Sequence, residues 1–177
     1  MPRSNDQTWS DAAGPDRVQP GYGRTLGLLV RGKNINPQTL LATDYLNHFN
    51  EIVMLLEILP AMPECLDDAR EWRPKSYQEH FRDSAFSDKE LAILAYDNCP
   101  DCYRRPFERT VARMNAAVAQ GMAEIEAAVA GGDSERLQAV AGRLTGELHG
   151  LIAKANGIVQ GTYDVADQAA VDRIMAP

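Results

Sequence analysis

No run in this chain approaches the ~18 consecutive apolar positions that a membrane-spanning helix requires. The loops that cradle phosphate or carry a nucleophilic serine are missing as well: G-x-x-x-x-G-K-[ST], G-x-G-x-x-G and G-x-S-x-G do not occur. The opening residues, MPRSNDQTWSDAAGPDRVQPGYG, lack the basic and apolar regions that direct export, so a cytoplasmic protein without membrane association is expected. Cysteine is scarce: three thiols are an odd number for a disulfide framework, and a chain of 177 residues buries about two-thirds of its unfolded surface without one. Positive charge is also in short supply. With 18 Lys and Arg against 25 Asp and Glu, a net charge of -7 and the basic residues scattered, most of the surface repels a phosphate backbone, and nucleic acid is not expected as a partner.

What the chain does have is helical periodicity. Residues 1 to about 24 mix Ser, Asn, Asp, Gly and Pro with little apolar patterning, the composition of a tail that cannot offset its ordering entropy. The apolar run Leu26 to Val30 that follows reads either as a lone strand or as a lead-in packed on a bundle. Asn36 as N-cap, Pro37 at the first helical position and Pro60 as a stop predict a helix over 37–59. Pro63 opens a short helix ending near Trp72, and two capping boxes, Ser76 with Glu79 and Ser87 with Glu90, predict short helices over 77–84 and 88–97. A long helix is expected over 104–130, with Pro106 in its first turn and Phe107, Val111, Met114, Val118, Ile125 and Val129 spaced at three and four. Gly131, Gly132 and Asp133 then turn the chain into a second one, 134–160, and a connection this short implies an antiparallel hairpin.

The expected fold is therefore all-α: a helical bundle domain over 36–161 built on the long antiparallel hairpin, with short capping helices. A flexible N-terminal extension, 1–35, precedes it and a C-terminal tail, 162–177, follows.

One stretch runs against this pattern. TDYLNHFNE, residues 43–51, places Asp44, Asn47, His48, Asn50 and Glu51 inside an otherwise apolar helix. The apolar stripe there is Leu41, Tyr45, Phe49, Ile52, Leu56 and Leu59, and Asp44, His48, Glu51 and Leu55 form a second row beside it. Asp44, His48 and Glu51 thus have the spacing of carboxylate and imidazole ligands presented to a divalent metal in a helical bundle. Three ligands from one helix are incomplete, and Glu79 with His80, or Glu147 with His149, would supply the rest. The competing reading makes Asp44, Asn47, Asn50 and Glu51 the solvated edge of the helix, with His48 hydrogen-bonded to a loop carbonyl.

Cys99 and Cys102, in CPDC, have the spacing of a redox motif or of half a zinc site, with Cys65 as a third thiol. A helix rather than a strand precedes them, so a turn with incidental thiols is favoured. The aromatics from Trp72 to Tyr96 read as the core of a small helical cap. At the C-terminus, Gln168, Val171 and Asp172 in DQAAVDRIMAP resemble the short Gln-x-x-Val/Ile-Asp-x-Leu-type terminal segments with which some bacterial chemotaxis and flagellar-switch proteins dock a response regulator. Arg173 and Ile174 follow the aspartate here, and the resemblance implies a short docking helix within 162–177. Taken together, the sequence points to a non-enzymatic cytoplasmic interaction or regulatory protein, with a protein partner or a second copy of the chain. The alternative is a metal- or small-ligand-binding bundle centred on Asp44, His48 and Glu51.

Overall fold

The computed structural model describes residues 22–162, and among these there are helices and no strand. The helices are α1 (Tyr22–Leu29), α2 (Asn47–Ile58), α3 (Leu66–Glu71), α4 (Tyr77–Asp83), α5 (Lys89–Asp97), α6 (Asp101–Ala130) and α7 (Ser134–Val159), with 3-10 turns at Thr43–Leu46 and Pro63–Cys65. The all-α expectation holds, and its framework is the hairpin of α6 and α7. Asp133 caps α7 by accepting the Arg136 N–H at 2.9 Å, and Gly132 takes a φ of 66° that suits a residue without a Cβ. Gly121 lets the two helices approach closely: a Cβ there would lie 2.4 Å from Leu144 Cδ2. α2 packs on α7, and α4 packs on α5.

The apolar face of α2, Phe49, Ile52, Leu56 and Leu59, meets Met114 and Ile125 of α6 and Leu148 and Ala155 of α7 in one buried core. The aromatics form the other end of that core. Tyr77 stacks on Tyr96 at 4.2 Å and packs against Phe81 and Tyr45, the Tyr77 hydroxyl accepts the Ala42 N–H, and the Tyr45 hydroxyl donates to the Lys75 carbonyl.

Four local expectations need correction. Of the two readings of 26–30, the lead-in packed on the bundle holds and the strand does not, so the extension expected over 1–35 is not loose along this part. The run belongs to α1 and the turn after it, and Leu26, Val30 and Ile35 are buried in the core, which therefore begins before residue 36. Residues 1–21 and the tail beyond 162, on which the expected docking helix falls, lie outside the described residues.

The helix expected over 37–59 begins ten residues later. Asn36 does act as a cap, its Oδ1 accepting the N–H groups of Gln38 and Thr39, but the turn closes at once. The Leu40 N–H returns to the Asn36 carbonyl and Leu40 takes a φ of 60°. The reason is tertiary: Thr39, Leu40, Leu41 and Ala42 are all buried, and a helix cannot direct four successive side chains into one core. The Thr39 hydroxyl also donates to the Val159 carbonyl at the end of α7.

The third correction is at α6, which starts five residues ahead of Pro106. Its first turn is held by Tyr103 and Arg104 N–H groups on the Pro100 carbonyl and by Arg104 and Arg105 on the Asp101 carboxylate. The fourth is a cap. Ser76 and Glu79 form the expected capping box, whereas α5 begins after Asp88 with no side-chain cap and Ser87 turns to the Asp88 carboxylate instead.

Candidate functional site

The polar residues of 43–51 do not share one face, because residues 43–46 form a 3-10 turn and 47–51 belong to α2. Asp44, Asn47 and Asn50 line a polar cleft of about 470 Å³ against His149, Ile152 and Asn156 of α7. Asn47 and Asn50 are exposed and Asp44 is half-buried, as the solvated-edge reading expects.

His48 turns the other way, to a relative exposure of 4%. Its imidazole stacks on the Trp72 indole at 4.7 Å and 18°, and the indole N–H donates to the His48 carbonyl at 3.0 Å. Nδ1 lies 3.8 Å from Glu51 Oε2, while Nε2 is buried without a hydrogen-bond partner. His80 sits beside this pair, 6.0 Å from His48 between ring centres and edge-on to Tyr45. Burial lowers the pKa of His48, against the pull of the Arg73 backbone and Glu51. The His80 pKa is lowered for the same reason, against Glu51 and the Asp44 backbone. Both are thus biased toward the neutral imidazole that packs well against aromatic rings.

The metal set read from helical spacing does not assemble. Among the described residues no three His, Cys, Asp or Glu side chains are placed to hold a metal ion. Three of the proposed completing residues are placed elsewhere, and only His80 lies beside His48. The Glu79 carboxylate accepts from both the backbone N–H and the hydroxyl of Ser76, and His149 pairs with Glu57 at 2.9 Å. Glu147 lines a separate cleft with Arg113 and Arg143.

The three thiols are free. Cys99 is buried, which pushes its thiol up to about 12, and Cys102 is exposed on the first turn of α6. A thiol held protonated is a poor nucleophile, and the strand–turn–helix setting of a redox CxxC is not the one found here.

Two features were passed over in the sequence. Met54 and Ile58, 66% and 43% exposed, project from the outer face of α2. The Met62 N–H still bonds the Ile58 carbonyl, so helical geometry carries the row on to Met62, 46% exposed. The signal was present: this four-residue repeat widens the apolar arc of the helix beyond what one core face uses. The second is the stacking of Trp72 on His48: the sequence places Trp72 in the aromatic cap, and no local signature marks its contact with a different element.

Comparison with protein-family models, with curated proteins and with solved structures finds no match for the chain, so its function has to be argued from these residues.

Proposed function

We propose that the protein is a non-enzymatic, cytoplasmic interaction protein that binds a basic amphipathic helix of a partner on the outer face of α2. One observation carries the reading: Met54, Ile58 and Met62 form an exposed apolar row, one helical turn apart, on a helix whose opposite face is fully buried. Methionine and isoleucine in such a row offer an adaptable apolar seat, the arrangement that helix-in-groove recognition uses.

Charge selects the kind of helix. Between residues 51 and 71 the exposed side chains include Glu51, Glu57, Glu64, Asp67, Asp68 and Glu71 against Arg70 alone among cations, so the segment that carries the apolar row is acidic. An acidic rim steers a basic partner and disfavours an acidic one. The exposed side chains of Asn47 and Asn50, at the N-terminal end of the same helix, provide polar rim contacts. No helix among the described residues is long and apolar enough to cross a membrane.

The test is anisotropy of a labelled amphipathic Leu/Lys peptide titrated with the protein, beside a Leu/Glu peptide of the same apolar pattern. The reading expects saturable binding of the Lys peptide only, weakened by salt, and about tenfold or more weaker to Met54→Asp/Ile58→Asp. Equal binding of both peptides, or Lys-peptide binding indifferent to the double substitution, would overturn it. Self-association lost in that variant would instead assign the face to a second copy of the chain.

A further inference from the structure

A second concave site lies on the far side of Trp72 from this face. Residues 72–74 run extended between α3 and α4, and beneath them, against α6, is a cleft of about 490 Å³ walled mainly by apolar groups: Ala69, Trp72, Pro74, Val118, Ala119 and Met122. That volume is in the ordinary range for small-molecule sites.

The cleft is held open by fixed anchors. Trp72 is tied to the His48 carbonyl, the Lys75 carbonyl to the Tyr45 hydroxyl, and the Arg70–Glu126 ion pair, 2.8 Å, spans from α3 to α6 at its edge. Two polar groups in its wall are incompletely used. Asn115 lines both this cleft and the neighbouring one beneath Lys75 and Tyr77, and its Oδ1 is out of solvent with no hydrogen bond among the described residues. Arg73 donates only to the backbone carbonyls of Arg70 and Trp72 and faces no carboxylate among the described residues. Glu126, the acid in the lining, is already neutralised by Arg70.

We propose that this cleft binds a small organic acid with an apolar body. The body lies against Trp72, Val118 and Met122, the anion pairs with Arg73, and a polar group of the ligand meets the Asn115 amide, which presents either its oxygen or its NH2 by turning about χ2. The site is distinct from the α2 face and does not depend on that reading. It also relocates the small-ligand expectation, from Asp44, His48 and Glu51 to the other side of the indole that covers His48.

Anilinonaphthalene sulfonate, an apolar anion with one N–H donor, is a suitable probe. Titration followed by fluorescence is expected to saturate at one dye per chain. Ala119→Trp, which fills the cleft from an exposed position on α6, is expected to abolish the signal with the helical circular dichroism unchanged, and Arg73→Gln to weaken it about tenfold. Asn115→Leu separates binding from folding: relief of the unpartnered amide raises the melting temperature while dye affinity falls. Met54→Asp/Ile58→Asp is expected to leave dye binding unchanged. Binding that survives Ala119→Trp, or that disappears only in the α2 variant, places the dye elsewhere and overturns the proposal. So does the absence of saturable binding.

Discussion

The contact between Gly121 and Leu144 predicts a mutational effect that changes sign with its background. A Cβ built at Gly121 falls 2.4 Å from Leu144 Cδ2, 3.0 Å from Cδ1 and 3.1 Å from Cγ, and Leu144 is 2% exposed, so it has little room to withdraw. Gly121→Ala therefore overpacks the seam of α6 and α7, at ~1–3 kcal/mol for insertions of this kind. A mid-helix Gly→Ala change returns about 1 kcal/mol of helix propensity, which leaves a net loss between roughly 0 and 2 kcal/mol. Leu144→Ala alone costs ~2–5 kcal/mol through lost burial and the cavity left behind. In that background the new methyl at 121 meets empty space, the clash is gone and the propensity gain remains. Adding Gly121→Ala to Leu144→Ala should thus stabilise by about 1 kcal/mol or more. Urea denaturation midpoints of the four proteins measure this directly. If Gly121→Ala has the same sign and size in both backgrounds, the two helices do not meet at this pair and the hairpin packing is misassigned.

Stability should also depend on pH through His48 and His80. Both have folded pKa values below the ordinary 6.5, so the unfolded chain takes up protons more readily. Their contribution is complete above about pH 6.5 and is lost as the pH falls from there toward the folded values. The urea midpoint should drop between about pH 7.5 and about 5.5, and drop less in His48→Gln/His80→Gln; equal drops would remove these rings as the cause. The thiols should differ in reactivity, Cys102 modifying quickly with a thiol reagent and Cys99 only on unfolding, and comparable native rates would contradict the burial of Cys99. Glu79→Ala should lower the melting temperature because it breaks a formed capping box, while Glu90→Ala should leave it nearly unchanged because Ser87 caps nothing. Thermal melts that show equal losses would mean the two helix starts are alike.

The elements that were legible in the sequence are those whose signal is local. Asp133 capping α7, the Gly131–Gly132 turn and the apolar spacing along α6 and α7 each specify structure without reference to the rest of the chain. Errors arose where a distant contact outweighed a local cue. Asn36 and Pro37 carry a good helix start, yet burial of residues 39–42 and the Thr39–Val159 hydrogen bond turn that start into a single closed turn. The shared face expected for Asp44, His48 and Glu51 failed by the same route. Placing Asp44, His48 and Glu51 on one face assumed continuous α-helix from 37, and the 3-10 turn at 43–46 rotates Asp44 toward α7. The burial of His48 depends on Trp72, 24 residues away, which no periodicity within α2 anticipates.

The central functional claim is that the outer face of α2 is a seat for a basic helix, and the most direct measurement is the footprint of the Leu/Lys peptide on the backbone amide NMR spectrum of the protein. Saturating shifts concentrated between residues 47 and 64 around Met54, Ile58 and Met62, with the groove residues of α6 near Asn115 unmoved, are the predicted result. Shifts centred on α6 or scattered over the surface, with the α2 amides unchanged, would contradict it.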